Sequence, residues 1–159
     1  MSAAKKTNAM RLLDSAQIDY AVRTYEFDED DLSGVHAADA VGMAREAVFK
    51  TLVARGDKTG FAVFFIPVAE SLDLKKAARA SGNKAVELLH VKELLPVTGY
   101  IRGGCSPIGM KKKFPTYFDE TAMLFDEIAV SAGQRGVQLI VNPDALAAFV
   151  EAGYVDLTA

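Results

Sequence analysis

"AVFKTLVARGDKTGFAVFFIPVA", residues Ala47 to Ala69, is the stretch on which the fold turns. Two apolar runs, "AVFKTLVAR" and "GFAVFFIPV", are rich in Val and Phe and flank the polar "GDKTG"; this pattern predicts two strands joined by a turn. The apolar run is too short for a membrane helix. Lys50 sits inside the first run. With Val48, Phe49, Leu52 and Val53 in a core, its side chain points to the open face of a sheet or into a cleft. A lysine removed from water needs a partner or a ligand. The alternative is a stem lying on apolar surface, with the ammonium reaching solvent at the strand end.

Working towards the N-terminus, "VHAADAVG" reads as a short helix stopped by Gly42 and "DEDDLSG" as an acidic, solvated loop. "DYAVRTYEF" alternates as a strand does, and "TNAMRLLDSAQ" has helical spacing with Thr7 or Asn8 as its cap. Towards the C-terminus, "SLDLKKAARASG" predicts a helix with Ser71 or Asp73 at the N-cap and Gly82 closing it. "KAVELLHVKELL" reads as a short strand followed by a helical turn or two. "FPTYFD", "EIAVSAG" and "GVQLIVN" predict strands; Asn142 caps a last helix with Pro143 at its first position, and "YVDLT" adds an edge strand. About six or seven strands and about four helices, without regular βαβ alternation, indicate an α+β fold with a mixed, curved sheet.

At 159 residues the chain reads as a single domain, residues 1–159, with enough sequence for one core. Its net charge of −3 leaves no global basic footprint, so any nucleic-acid contact is local. "MSAAKKTNAM" has no hydrophobic signal region, which makes the cytoplasm the default compartment. One cysteine, Cys105, excludes an internal disulfide and a cysteine-rich zinc site. His36 and His90, with no HExxH spacing, argue against a catalytic metal, and no cofactor is expected.

Beyond Lys50, chemistry concentrates in "RGGCSPIGMKKKFPTYFD", Arg102 to Asp119. Gly103 and Gly104 let backbone N–H groups approach a ligand, as in an anion or oxyanion nest; the plain reading is a tight connection. Lys111, Lys112 and Lys113 are a solvated stretch or a contact for phosphates. "VSAGQRG" ends a strand at Ser131, for which a hydrogen-bonding role fits better than a nucleophile's; its plain reading is a hairpin turn. Cys105 reads as a packed thiol rather than a nucleophile.

In order, "TYEFD", "FKTLVAR", "PVAESLDLKKAARASG", "TGYIRGGCSPIGMKKKFPTYFD" and "VSAGQRG" resemble the YbaK/EbsC family of aminoacyl-tRNA deacylases, related to the editing domain inserted in bacterial prolyl-tRNA synthetases. The resemblance runs from about Met10 to Val155. It implies a mixed, barrel-like sheet surrounded by helices, and release of an amino acid wrongly esterified to the tRNA 3′ end, most often cysteine on the proline tRNA. It implies roles for Lys50 at the terminal nucleotide or its phosphate, Tyr25 as a pocket aromatic, Gly103 and Gly104 at the ester carbonyl, and Ser131 in the pocket. Lys111, Lys112 and Lys113 would face the acceptor backbone. The partner implied is aminoacyl-tRNA, with a prolyl-tRNA synthetase beside it because an acidic protein binds tRNA weakly; no membrane and no DNA are expected. Three departures reshape the pocket rim: Gln138, still a substrate-binding candidate, stands where Asp is frequent, Ala132 replaces a glycine, and Leu32 and Ser33 stand where an aromatic is expected. A non-catalytic module using the same cleft for tRNA ends, nucleotides or a partner protein remains the alternative.

Overall fold

A computed structural model describes residues 6–159; the first five, part of the stretch read above for a signal region, lie outside the described residues. Helix α1 (Asn8–Ser15) starts where the Thr7 hydroxyl accepts a hydrogen bond from the Met10 N–H, and it buries Ala9, Met10 and Leu13 at helical spacing. Strand β1 (Tyr20–Thr24) follows. Helix α2 (Gly34–Val41) is capped by the Ser33 hydroxyl and ends at Gly42. Strands β2 (Phe49–Gly56) and β3 (Gly60–Pro67) form the expected hairpin, antiparallel from Phe49↔Pro67 to Gly56↔Gly60. Asp73, not Ser71, caps α3 (Leu74–Ser81) by accepting from the Lys75 and Lys76 N–H groups.

The ambiguous stretch after Gly82 resolves into β4 (Val86–Leu88) and α4 (Val91–Thr98). Then come β5 (Thr116–Asp119), β6 (Ile128–Ser131), β7 (Val137–Val141), α5 (Pro143–Val150) with its Asn142 cap, and the short edge strand β8 (Gly153–Val155). No helix among the described residues is long and apolar enough to cross a membrane.

The strands make two sheets, β1-β7-β6 and β4-β2-β3-β5-β8. β3–β5 and β5–β8 are parallel and the other pairs antiparallel, so the fold is mixed α+β as expected. A single parallel bridge, Val48–Ala129, joins the sheets. The expected barrel-like sheet is therefore joined but not closed. The reason lies in β2. Its outer edge pairs with β4 only over Ala54–Gly56, and the Leu89 N–H donates to the Val53 C=O (3.0 Å) where that pairing stops. Between that point and the bridge no strand lies beside Phe49–Val53 among the described residues, and the sheets part.

The core explains why the second run of the hairpin is continuously apolar: β3 is covered on both faces. Phe65 stacks between Phe49 (5.0 Å between centroids) and Phe118 (4.5 Å), in the layer closed by Leu13 of α1 and Leu146 of α5. Phe64 and Ile66 point the other way, against Ala77 and Ala78 of α3 and Leu157.

Candidate functional site

The parting of the sheets leaves a cavity of about 410 Å³ along the open edge of β2. Its lower wall is the three-stranded sheet, where Ser131 of β6 and Gln138 of β7 are cross-strand partners. Its upper wall is β2 with the β4–α4 connection. Its rim holds the glycine turn and the residues leading into α2. Tyr25, Lys50, Gly103, Ser131 and Gln138, from five separate parts of the chain, all border this one space.

Lys50 is half-buried, and burial lowers its pKa from the usual 10.5, against a smaller opposing pull from Glu70. Among the described residues no carboxylate lies within ion-pair distance of its ammonium. No Asp or Glu lines the cavity, whose charged groups are Lys50 and Arg102. The site is thus cationic inside an acidic protein, an arrangement suited to a phosphate or a developing oxyanion.

The glycine turn is built against the β6–β7 hairpin. Gly103 has φ +85°, and a Cβ there would lie 3.3 Å from two Leu32 side-chain carbons. A Cβ on Gly104 would lie 3.2 Å from the Gln134 and Arg135 backbone, so only glycine lets the two loops sit this close. The Arg135 Nε–H donates to the Arg102 C=O (2.8 Å) and holds the turn down. The Gly104 N–H donates to the Ile101 C=O (3.0 Å) and Gly104 is not in the cavity wall. Gly104 thus lets the two loops approach closely, and its N–H is engaged within the turn. The Gly103 N–H has no acceptor among the described residues.

The Ser131 hydroxyl accepts from the Gly133 N–H (3.1 Å), which leaves its proton for another acceptor. The Tyr25 ring meets His36 edge-on at 6.4 Å between centroids. Lys111, Lys112 and Lys113 do not border the cavity. The Lys111 ammonium lies 3.5 Å from the Pro96 C=O, Lys113 pairs with Glu151, and Lys112 and Lys113 flank a separate shallow groove with Phe114 and Phe149. Among the described residues no group of three or more His, Cys, Asp or Glu side chains could hold a metal ion.

Among the lining residues that escape the sequence reading as site residues are Thr51, Arg102 and Cys105. Thr51 carried a signal, a polar residue directly after Lys50 in an apolar strand. Arg102 carried one too, a cation adjoining a glycine pair. Cys105 was read as packed, and burial pushes its thiol up to about 12, so it is protonated at neutral pH. Iodoacetamide at pH 8 should alkylate native Cys105 at least about a hundredfold more slowly than a free thiol such as glutathione, a rate read by mass spectrometry. Alkylation as fast as glutathione's would mean an activated thiolate and reopen the nucleophile reading.

Comparison with known proteins bears on the family and the fold. Residues 32–149 match the aminoacyl-tRNA editing domain. EbsC of Enterococcus faecalis, named as a candidate Cys-tRNA(Pro)/Cys-tRNA(Cys) deacylase, is 48% identical over 154 residues, covering 97% of this chain and 94% of its own. The crystal structure of a candidate trans-editing enzyme for prolyl tRNA synthetase superposes with a TM-score of 0.80 at 26% identity, covering 96% of this chain and 98% of that one. The hypothetical protein APE2540, at 18% identity and a TM-score of 0.84 over 94% and 97% of the two chains, shares the fold. A match spanning most of the chain and a relative nearly half identical along its length place this chain in the aminoacyl-tRNA editing domain family.

Proposed function

We propose that this chain is a trans-acting deacylase that removes a wrongly attached amino acid, cysteine foremost, from the 3′ end of the proline tRNA. The observation that carries the reading is that Lys50 of β2 and the Gly103 turn border one cavity of about 410 Å³. That volume lies within the range of about 300–1,000 Å³ usual for small-molecule sites, and suits a terminal nucleoside with its amino acid. The family and the name of EbsC support the same substrate class. Cysteine and proline are close in size, so a synthetic site separates them poorly and a second site must clear the error.

An aminoacyl ester is already activated, so positioning and charge stabilisation carry most of the reaction. Lys50 holds the phosphate or ribose of the terminal nucleotide. The Gly103 N–H donates to the ester carbonyl oxygen as negative charge develops there, and the Ser131 hydroxyl adds a hydrogen bond. With cysteine as the amino acid, its own Sγ attacks the ester carbon and the bond to the ribose 3′ oxygen breaks. The thiol proton passes to that oxygen, leaving cysteine thiolactone and tRNA with a free terminal hydroxyl. No protein nucleophile is required, in keeping with a protonated Cys105.

Lys111 and Lys112 stand outside the cavity, on the segment that follows the glycine turn, where the acceptor backbone of a bound tRNA would run. A prolyl-tRNA synthetase would supply the tRNA affinity that a chain of net charge −3 lacks. The test is a panel of tRNAs charged with cysteine, alanine, serine or proline, each incubated with the protein. Cysteine should leave the proline tRNA fastest, and cognate prolyl-tRNA should survive. If none is released faster than in buffer, the deacylase reading fails and a binding module using the same cleft takes its place.

A further inference from the structure

Ile101 to Gly104 form a β-turn, closed where the Gly104 N–H donates to the Ile101 C=O (3.0 Å). Gly103, at its third position, has φ +85°, whereas Arg102 before it stays out of the positive-φ region, which makes the turn type II. The peptide between these two residues is the centre of the turn. Types I and II differ chiefly by a half-turn of that one peptide, and glycine at the third position accepts either sign of φ. The residues of the turn therefore leave the direction of the Gly103 N–H undecided.

What decides it comes from the β6–β7 hairpin. The Arg135 Nε–H donates to the Arg102 C=O (2.8 Å), which is the other end of the same peptide. That peptide is trans and planar, so its C=O and N–H point in opposite directions; an oxygen held on the Arg135 side turns the N–H away from Arg135. Gly103 borders the cavity and Arg135 does not. Arg135 is itself half-buried against the turn, its Cγ 3.5 Å from where a Cβ on Gly103 would stand. Among the described residues no carboxylate lies within ion-pair distance of its guanidinium, so nothing competes with the carbonyl for it.

Resting on the function proposed above, we infer that Arg135 is a positioning residue: it latches the Arg102–Gly103 peptide with its N–H towards the cavity, and so aims the donor that meets the ester carbonyl oxygen. Without that hydrogen bond the peptide is free to make its half-turn, which presents the Arg102 C=O to the cavity instead. A carbonyl oxygen there repels the negative charge that the N–H would stabilise. The guanidinium also carries charge, and a cationic donor on the C=O polarises the peptide and strengthens its N–H as a donor. Arg135 acts through the turn on charge that develops only during the reaction, so its contribution appears in the rate and not in binding.

The test compares two substitutions of equal reach. In Arg135→Gln the amide nitrogen stands as many bonds from the backbone as the arginine Nε and donates in its place; in Arg135→Met a methyl stands there and no donor remains. Both remove the same charge. For release of cysteine from the proline tRNA, Arg135→Met should lower kcat about tenfold or more with KM within about twofold of wild type, and Arg135→Gln should keep kcat within about threefold. Crystal structures read the peptide directly: wild type and Arg135→Gln should hold the Arg102 C=O towards residue 135, and Arg135→Met should show it turned in part or in whole. Equal losses in the two variants overturn the inference by making Arg135 a charge for the tRNA, and so does a loss that falls on KM. An unturned peptide in Arg135→Met overturns it as well. Should Arg135→Met fail to fold, the other two proteins decide: a wild-type crystal with the Gly103 N–H turned from the cavity, or an Arg135→Gln about tenfold or more slower than wild type, ends the proposal. If wild type deacylates no tRNA yet the peptide turns in Arg135→Met, the deacylase reading falls and the latch stands. If wild type and Arg135→Met release cysteine equally fast, the latch alone falls.

Discussion

Lys50→Ala should lower kcat/KM for release of cysteine from the proline tRNA by about a hundredfold, the scale of one lost charge-assisted contact to a phosphate or ribose. The same variant should be no less stable than wild type. Lys50 is half-buried without a carboxylate partner, so its removal relieves a desolvation penalty; a Tm equal to or above that of wild type, with activity about a hundredfold down, separates a functional lysine from a structural one. A stem merely snorkelling at a strand end predicts the reverse, near-normal activity. The pH profile gives a second check. Burial lowers the Lys50 pKa, so the side chain loses its proton at a pH below the usual 10.5. The contact needs the charged form, so KM should rise on the alkaline side before 10.5 is reached, and a KM flat up to that point would remove Lys50 from phosphate binding.

Blocking the substrate's own sulfur should have an effect as large. S-methylcysteinyl-tRNA should be released at least about a hundredfold more slowly than cysteinyl-tRNA, because an attacking group already on the substrate reacts as though present at very high effective concentration. Its ester, amine and nucleotide are unchanged, so binding should persist and the loss should fall on kcat rather than KM. Release at an undiminished rate would mean that a positioned water does the work. That result would remove the thiolactone route and leave deacylation intact.

How much of this was legible in the sequence depended on whether a residue's role is local. The hairpin Phe49–Pro67 was legible because both strands declare themselves by composition and their turn by glycine. The Asn142 cap was legible, and those of α1 and α3 were narrowed to Thr7 or Asn8 and to Ser71 or Asp73, because a cap is a contact over three residues or fewer. The sheet partition was not. Whether β2 is flanked along its whole length or only over Ala54–Gly56 depends on where β4 and β6 arrive, decided by packing far away in sequence. The same divide runs through the site. Lys50 stood out as a charge in an apolar strand, and Gly103 as part of a glycine pair. The Gly104 N–H looked equivalent to its neighbour's, yet the turn closes onto Ile101 and occupies it, a detail of backbone geometry that residue type does not encode. Strand alternation assigns Thr51 to the face opposite Lys50. It reaches the cavity because the cavity runs along the strand's edge, where residues of both faces can contribute.

That open edge also bears on how such a protein can diversify. Substitutions at the half-buried Lys50, Thr51 and Leu52 would alter the shape of the cavity without removing a ladder partner on that side, while the hairpin to β3 persists. Lengthening β4 by a few residues towards Phe49 would have the opposite result: the slot would zip shut, leaving a more regular sheet with no cavity along its edge.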